Sequence, residues 1–289
     1  MRGRDMALAV PALVAAMVSI QFGASLAKRL FPLAGPQGTV ALRVGLAAII
    51  VAALMRPWRA RLTRANVRPL IAYGVSLGTM NLLFYTALVT VPLGVAVALE
   101  FTGPLAVALL SSRRGRDFAW IALAVLGLMP LLPLTGLSAV DPRGALLALA
   151  AGGCWALYIV FGQKAGAAHG PHAAALGICI AALLAVPVGV WQSGRALLNP
   201  AVLPLALAVA VLSSALPYSL EMVALPRLPA RLFGTLMSLE PAVGALMGYL
   251  FLGERLTFVQ MLAVAAVIAA SMGMALGTRE ATPPEILPD

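Results

Sequence analysis

Four ionisable residues, Arg43, Glu100, Glu221 and Glu240, interrupt long apolar runs in this chain. Inside a bilayer such a group is tolerated when it faces a polar interior and finds a partner, so each is a candidate for function. A buried carboxylate can take an ammonium or carry a proton, and a guanidinium can take a carboxylate. A purely structural ion pair, for instance Arg43 with Glu100, is the alternative. Proline accompanies each acid: Pro104 follows Glu100 by four, Pro241 follows Glu240 directly, and Pro217 precedes Glu221 by four. Each proline removes one intrahelical hydrogen bond. The carbonyls of Glu100, Met237 and Ser213 must then be satisfied by neighbours, water or a ligand. Helix breaks at matching places in two repeats mark binding sites in transporters, although proline can also do no more than bend a packed helix.

Polar and aromatic residues near these breaks fall at helical spacing. Asn81 and Tyr85 are four apart, Trp155 and Tyr158 three apart, and Tyr218 lies three before Glu221, so each pair shares a helix face. They could line a polar cavity, although for any single one of them packing is the plainer role. His169 and His172 bracket Gly170-Pro171 with no third ligand nearby, so no metal site is expected. Cys154 and Cys179 lie in apolar runs without ligand spacing, as small packing residues would. There is no Gly-x-Ser-x-Gly or His-Glu-x-x-His spacing and no nucleophile with a positioned base. No catalytic residue and no cofactor is therefore expected.

Such residues need elements to hold them, and composition dictates which. Of the 289 residues 62% are hydrophobic and only 10% charged, far from the make-up of a soluble domain. Charge-free runs recur at 6–27, 69–99, 118–140, 144–163, 196–220 and 256–278, close to the roughly 20 residues that a spanning helix requires. Barrel strands would alternate apolar and polar over about 10 residues, and these runs do not. Punctuation by Pro, Gly and Arg places ten helices near 7–27, 36–55, 70–89, 94–111, 118–137, 145–163, 173–191, 201–224, 232–252 and 257–276. The expected fold is an all-α membrane protein of ten transmembrane helices, its first partner the lipid bilayer.

The formal net charge of +10 reads as topology. Arginines crowd the connections at 56–68 and 113–116, which marks these as cytoplasmic. Alternate connections then collect 14 basic residues on that side against Lys28, Arg29, Arg143, Arg195 and Arg255 on the other. Both termini fall in the cytoplasm, and no nucleic-acid partner is implied. Trp120 and Trp191 sit near helix ends, where the headgroup layer favours an indole. The apolar stretch ending at Ser25-Leu26-Ala27 exceeds the roughly 7–15 residues of a signal-peptide core, and it serves as the first helix.

The two halves also resemble one another. Ala87-Leu88 with Val91-Pro92 matches Ala224-Leu225 with Leu228-Pro229 at an offset of 137, and Gly94 with Leu99-Glu100 matches Gly234 with Leu239-Glu240 at 140. Lys28 and Lys164, 136 apart, close the first helix of each half. Units of five helices, an odd number, run through the membrane in opposite senses. The expected organisation is a first repeat at 1–137, an inverted second repeat at 138–277 and a short tail at 278–289. Inverted repeats suit a carrier that rocks around a midplane site. A passive channel would instead show a ring of filter carbonyls or charges, usually built by several subunits.

Leu239-Glu240-Pro241 with Leu252-Gly253-Glu254-Arg255-Leu256-Thr257 resembles the end of the EamA-type repeat of the drug/metabolite transporter superfamily. Across roughly 7–277 the chain is more closely similar to that superfamily's bacterial exporters of threonine and homoserine. The similarity is carried by Gly23-Ala24-Ser25-Leu26-Ala27-Lys28, Val91-Pro92-Leu93-Gly94, the run from Ala98 to Leu109, Leu216-Pro217-Tyr218-Ser219-Leu220-Glu221-Met222 and Phe233-Gly234-Thr235-Leu236-Met237-Ser238. The first repeat departs from the pattern with Ser111-Ser112-Arg113-Arg114 where a Gly-Glu pair is common, so Glu254 has no counterpart there. The resemblance implies efflux of small hydroxylated amino acids across the inner membrane, driven by the proton gradient, or efflux of another small metabolite. A zwitterionic substrate would bring an ammonium for Glu100 or Glu240, a carboxylate for Arg43 or a broken-helix N-terminus, and a hydroxyl for Asn81, Tyr85 or Tyr218. Oligomeric state is left open.

Overall fold

The computed structural model describes residues 2–60, 62–111, 115–128, 140–170, 172–217, 220, 237 and 239–277, and among them every regular element is helical. In chain order these are α1 (Arg2–Lys28), α2 (Phe31–Met55), α3 (Arg64–Ala87), α4 (Leu93–Glu100), α5 (Thr102–Ser111), α6 (Gly115–Leu128), α7 (Pro142–His169), α8 (His172–Ser193), α9 (Leu203–Ala210), α10 (Glu240–Met247) and α11 (Phe258–Gly277). Two π-helical turns, Val211–Ala215 and Gly248–Leu252, extend α9 and α10.

Local chemistry sets the ends. Gly35 takes φ 67°, ψ 168° inside α2, a conformation that favours glycine. The straight part of that helix starts at Pro36, as the spacing predicts. Thr63 and Asn66 form a reciprocal capping box at the start of α3. Asp141 caps α7, accepting from the Gly144 amide at 2.8 Å and from the Thr90 hydroxyl at 2.9 Å. Those donors favour the ionised form and hold this surface carboxyl below its ordinary pKa. The cap is in place above the usual carboxylate range and is lost as the pH falls through the lowered value.

Among the described residues five helices are long and apolar enough to cross a membrane: Ala9–Lys28, Phe31–Met55, Asn66–Ala87, Pro142–His169 and His172–Leu198. Large apolar side chains face outward, among them Ile49, Leu54, Phe118, Leu183 and Phe258, each more than 60% exposed. The interior is rich instead in small residues such as Ala87, Ala96, Ala98, Ala145, Ala148, Ala151, Ala181 and Ala210. In lipid there is little hydrophobic gain from joining helices, so small residues that let backbones approach closely take over that task. This is the distribution of a multi-pass membrane protein.

The main packing partners are α2 with α8, α3 with α7 and α8, α6 with α11, α4 with α10, and α4 and α5 with α7; α1 packs on α9 and α10. The α4–α10 crossing, which bears on the site, is tight. A Cβ on Gly94 would lie 2.5 Å from both Cα and Cβ of Ala245, and backbone atoms cannot step aside as a flexible side chain can. Gly94→Ala is expected to cost about 1–3 kcal/mol through overpacking, read as a lower melting temperature in detergent. An unchanged melting curve would show that this crossing is looser than described.

Candidate functional site

Arg43, half-buried on α2, is held by two neutral acceptors. One guanidinium nitrogen donates to Oδ1 of Asn81 on α3, and another donates to the Ser213 carbonyl at 3.1 Å. Asn81 is itself oriented, its amide nitrogen donating to the Leu77 carbonyl at 2.8 Å. The Ser213 carbonyl, to which Pro217 has no amide proton to give, sits in the π turn after α9. Arg43 therefore fills a vacancy made by a proline and widened by a π turn, a local irregularity frequent at functional sites. The guanidinium also lies 5.3 Å from the centroid of the Tyr85 ring, within range of a cation–π contact. Arg43 Nε and the Tyr85 hydroxyl are buried without a hydrogen-bond partner among the described residues. A small cavity lined by Arg43, Val44, Leu77, Asn81, Ile178 and Ser214 opens beside them.

The acids lie at the α4–α10 crossing. Gly94 meets Ala245, and Val97 meets Gly244, so the helices run antiparallel. One turn further on, Glu100 and Glu240 come level. Both are buried, at 8% and 5% exposure. Glu100 interacts electrostatically with both Glu240 and Arg43. The structural pair of Arg43 with Glu100 is not formed, because Asn81 and Ser213 engage the guanidinium instead. Glu240 accepts at Oε1 from the amide nitrogen of Gln21 on α1 at 3.0 Å. Its Oε2, and Oε1 of Gln21, are buried with no partner among the described residues.

Other expected residues distribute around this centre. Trp155 meets Phe101, the neighbour of Glu100, edge to face at 5.5 Å. Tyr158 pairs with Tyr73, ring centroids 4.9 Å apart. Pro104 lies in α5, and the Glu100 carbonyl that it frees faces Gly152 of α7, where a Cβ would approach within 2.6 Å. Pro241 occupies the first turn of α10, where a missing amide proton costs nothing. Pro217 is buried. Tyr218 and Glu221 lie outside the described residues. Cys154 and Cys179 are free thiols, and among the described residues no three potential ligands gather to hold a metal.

The site thus has a donor end at Arg43 and Tyr85, an acceptor end at Glu240 and Gln21, and Glu100 in electrostatic reach of both Arg43 and Glu240. A profile of the EamA-like transporter family matches residues 142–276. Over 274 residues the chain is 60% identical to the threonine/homoserine exporter RhtA of Escherichia coli strain K12, an overlap of 94% of this chain and 93% of that one. Identity is again 60%, over 273 residues, with the exporter of the same name from Salmonella typhimurium strain LT2, covering 94% and 92%. The chain belongs to the EamA-like transporter family. It is a multi-pass inner-membrane transporter and not an enzyme. An uncharacterized transporter of Bacillus subtilis strain 168, YwfM, is 28% identical over 172 residues, 58% of each chain. A crystal structure only 19% identical, covering 90% of this chain and 95% of its own, shares the fold with a TM-score of 0.57.

Gln21, Lys28 and Glu254 take part in this EamA-family chain without having been expected as site residues from the sequence. Gln21 is an uncharged residue in the first apolar run, and only its 3% exposure and its bond to Glu240 distinguish it. Lys28 pairs with Glu254 at 2.5 Å, and the other oxygen of Glu254 accepts from the Leu93 amide at 2.7 Å. One carboxylate therefore ties the end of α1, the start of α4 and the turn after α10. The sequence marks Lys28 as a repeat boundary and Glu254 as an unmatched residue, but the partnership crosses 226 positions.

Proposed function

We propose that this chain exports threonine and homoserine from the cytoplasm in exchange for protons. The observation that carries the reading is the two-ended site. Among the described residues, Arg43 Nε and the Tyr85 hydroxyl are buried donors without a hydrogen-bond partner and suit a carboxylate, and Glu240 Oε2 and Gln21 Oε1 are buried acceptors without one and suit an ammonium. A buried polar atom left without a partner is costly, and a zwitterion supplies both kinds at once. Asn81, Tyr85 or Tyr218 would meet the substrate hydroxyl, Trp155 and Tyr158 would wall the path beside α7, and Glu221 is a further acid candidate. The identity to exporters of threonine and homoserine supports the substrate class.

The architecture we propose is ten spans in two inverted repeats, 1–137 and 138–277, with a cytoplasmic tail at 278–289 and both termini in the cytoplasm. Taking α4 with α5 as one span, five elements lie in each half. The packing between halves supports this arrangement because its pairs come as mirror images. The contact of α1 with α9 answers that of α7 with α3; α1 with α10 answers α7 with the α4–α5 span; and α2 with α9 answers α8 with α3. The pairs α2–α8, α4–α10 and α6–α11 are each their own mirror image. Glu100 and Glu240, 140 apart in sequence, lie in one such self-paired couple. In alternating access, the Lys28–Glu254–Leu93 tie would close the outer end.

Radiolabelled counterflow in proteoliposomes tests the reading. Internal threonine or homoserine should drive uptake of external label against its gradient, with serine competing more strongly than aromatic amino acids. An absence of threonine and homoserine flux, alongside flux of another amino acid, would reassign the substrate within the family.

A further inference from the structure

We propose that the side-chain amide of Gln21 couples the proton to the substrate, by turning over as Glu240 gains and loses a proton. This inference rests on the exchange reading above and adds the group that makes proton and ammonium exclude one another. Gln21 donates to Glu240 Oε1 at 3.0 Å, which requires that oxygen to be an acceptor. In this arrangement Gln21 Oε1 and Glu240 Oε2 are both buried acceptors without a partner among the described residues, and together they offer an ammonium two oxygens.

With a proton on Glu240 the inventory reverses. A carboxylic acid donates through its hydroxyl, and a primary amide can answer as acceptor once it turns its oxygen toward the acid. The amide N–H groups then face the site, where an ammonium, which has donors only, finds no acceptor on Gln21. One proton bound thus replaces one ammonium released. A carboxyl alone would do this less sharply, since the neutral acid still keeps a carbonyl oxygen that an ammonium could use.

Space for the turn is provided by Gly244 on α10, where an added Cβ would sit 3.2 Å from Gln21 Oε1 and 3.6 Å from its Cδ. The charged surroundings are sparse. Glu100 on α4 is a neighbouring acid whose electrostatic surroundings include Glu240 and, on α2, Arg43; α11 and residues 6–27 of α1 carry no charged residue.

Gln21→Met keeps length and bulk but can neither donate nor accept through an amide. In proteoliposomes, wild-type protein should move protons opposite to threonine, and its KM in counterflow should rise as the pH is lowered. In Gln21→Met, counterflow should persist with a raised KM. The acid-induced rise should shrink by about tenfold, the scale of one hydrogen bond to a charged group, and fewer protons should move per threonine. A purely structural role for Gln21 would lower protein abundance or rate and leave that ratio unchanged. A Gln21→Met protein with the wild-type proton ratio and pH dependence overturns the inference while leaving the exchange reading intact. Absence of proton movement in the wild type would instead refute the exchange reading. Should Gln21→Met fail to reach the membrane, Gly244→Ala supplies the test. It keeps both groups and crowds the turning oxygen, so it should lower the proton ratio, and an unaltered ratio there would overturn the inference equally.

Discussion

Glu240→Gln is expected to reach the membrane in normal amount and to lose export almost completely, with initial efflux of preloaded threonine or homoserine falling by one to two orders of magnitude. The substitution keeps size and shape. The new amide can still accept from Gln21 through its own oxygen, so the packing at α1 and at the Gly94–Ala245 crossing stays in place. What disappears is the negative charge, and with it both the ammonium contact and the proton. Hydrogen bonds to charged groups contribute about 1.5–3 kcal/mol, which converts to roughly tenfold to more than a hundredfold in affinity. Glu100→Gln should weaken export less, because the described residues leave Glu100 beside both Glu240 and Arg43 and not at the unpartnered acceptor end. The readout is initial efflux at several pH values with membrane abundance measured in parallel. Wild-type rates and wild-type pH dependence in both Gln variants would remove the acids from the mechanism.

Much of this arrangement is legible in one sequence because membrane energetics leave few options. Charge inside an apolar run is rare enough that Arg43, Glu100 and Glu240 announce themselves. Pro217 identifies Ser213 as the carbonyl needing a partner, since a proline inside a helix cannot donate to the carbonyl four residues earlier. The partner itself is not legible. Whether Arg43 turns to Glu100 or to Asn81 and Ser213 depends on the relative rotation of α2, α3 and the π turn, which no single-helix periodicity encodes. Gln21 stays hidden for a related reason, as an uncharged amide breaks no composition rule and gains meaning only from a residue 219 positions away. The Lys28–Glu254 pair sits at helix ends, where charge is ordinary, so its reach across the halves is invisible until the chain is folded. The break of the fourth span at Phe101 is milder: Pro104 predicts an interruption, but the residue at which the helical count lapses depends on how α4 and α5 pack against Gly152.

Arg43→Leu should lower both folded yield and melting temperature, and Arg43→Lys should separate that loss from the loss of transport. Removing the guanidinium strands Asn81 Oδ1 and the Ser213 carbonyl, and each buried group left unsatisfied costs about 1–3 kcal/mol. The sum is a large share of the 5–15 kcal/mol by which domains are usually stable. Leucine would also abandon the face of Tyr85. Lysine retains the charge but is a point donor on a flexible stem, without the planar fork that bridges Asn81 to Ser213. It can satisfy one acceptor well and hold a substrate carboxylate loosely. Arg43→Lys should therefore fold close to normally while its KM for threonine rises more than its maximal rate falls, since the carboxylate is held at this end in both ground and transition states. Melting of the purified variants in detergent, followed by counterflow, gives both numbers. An Arg43→Leu protein with parental yield and melting but no transport would reduce Arg43 to a substrate or gating group without structural weight. Full transport in Arg43→Leu would eliminate the donor end of the site and, with it, the zwitterion reading.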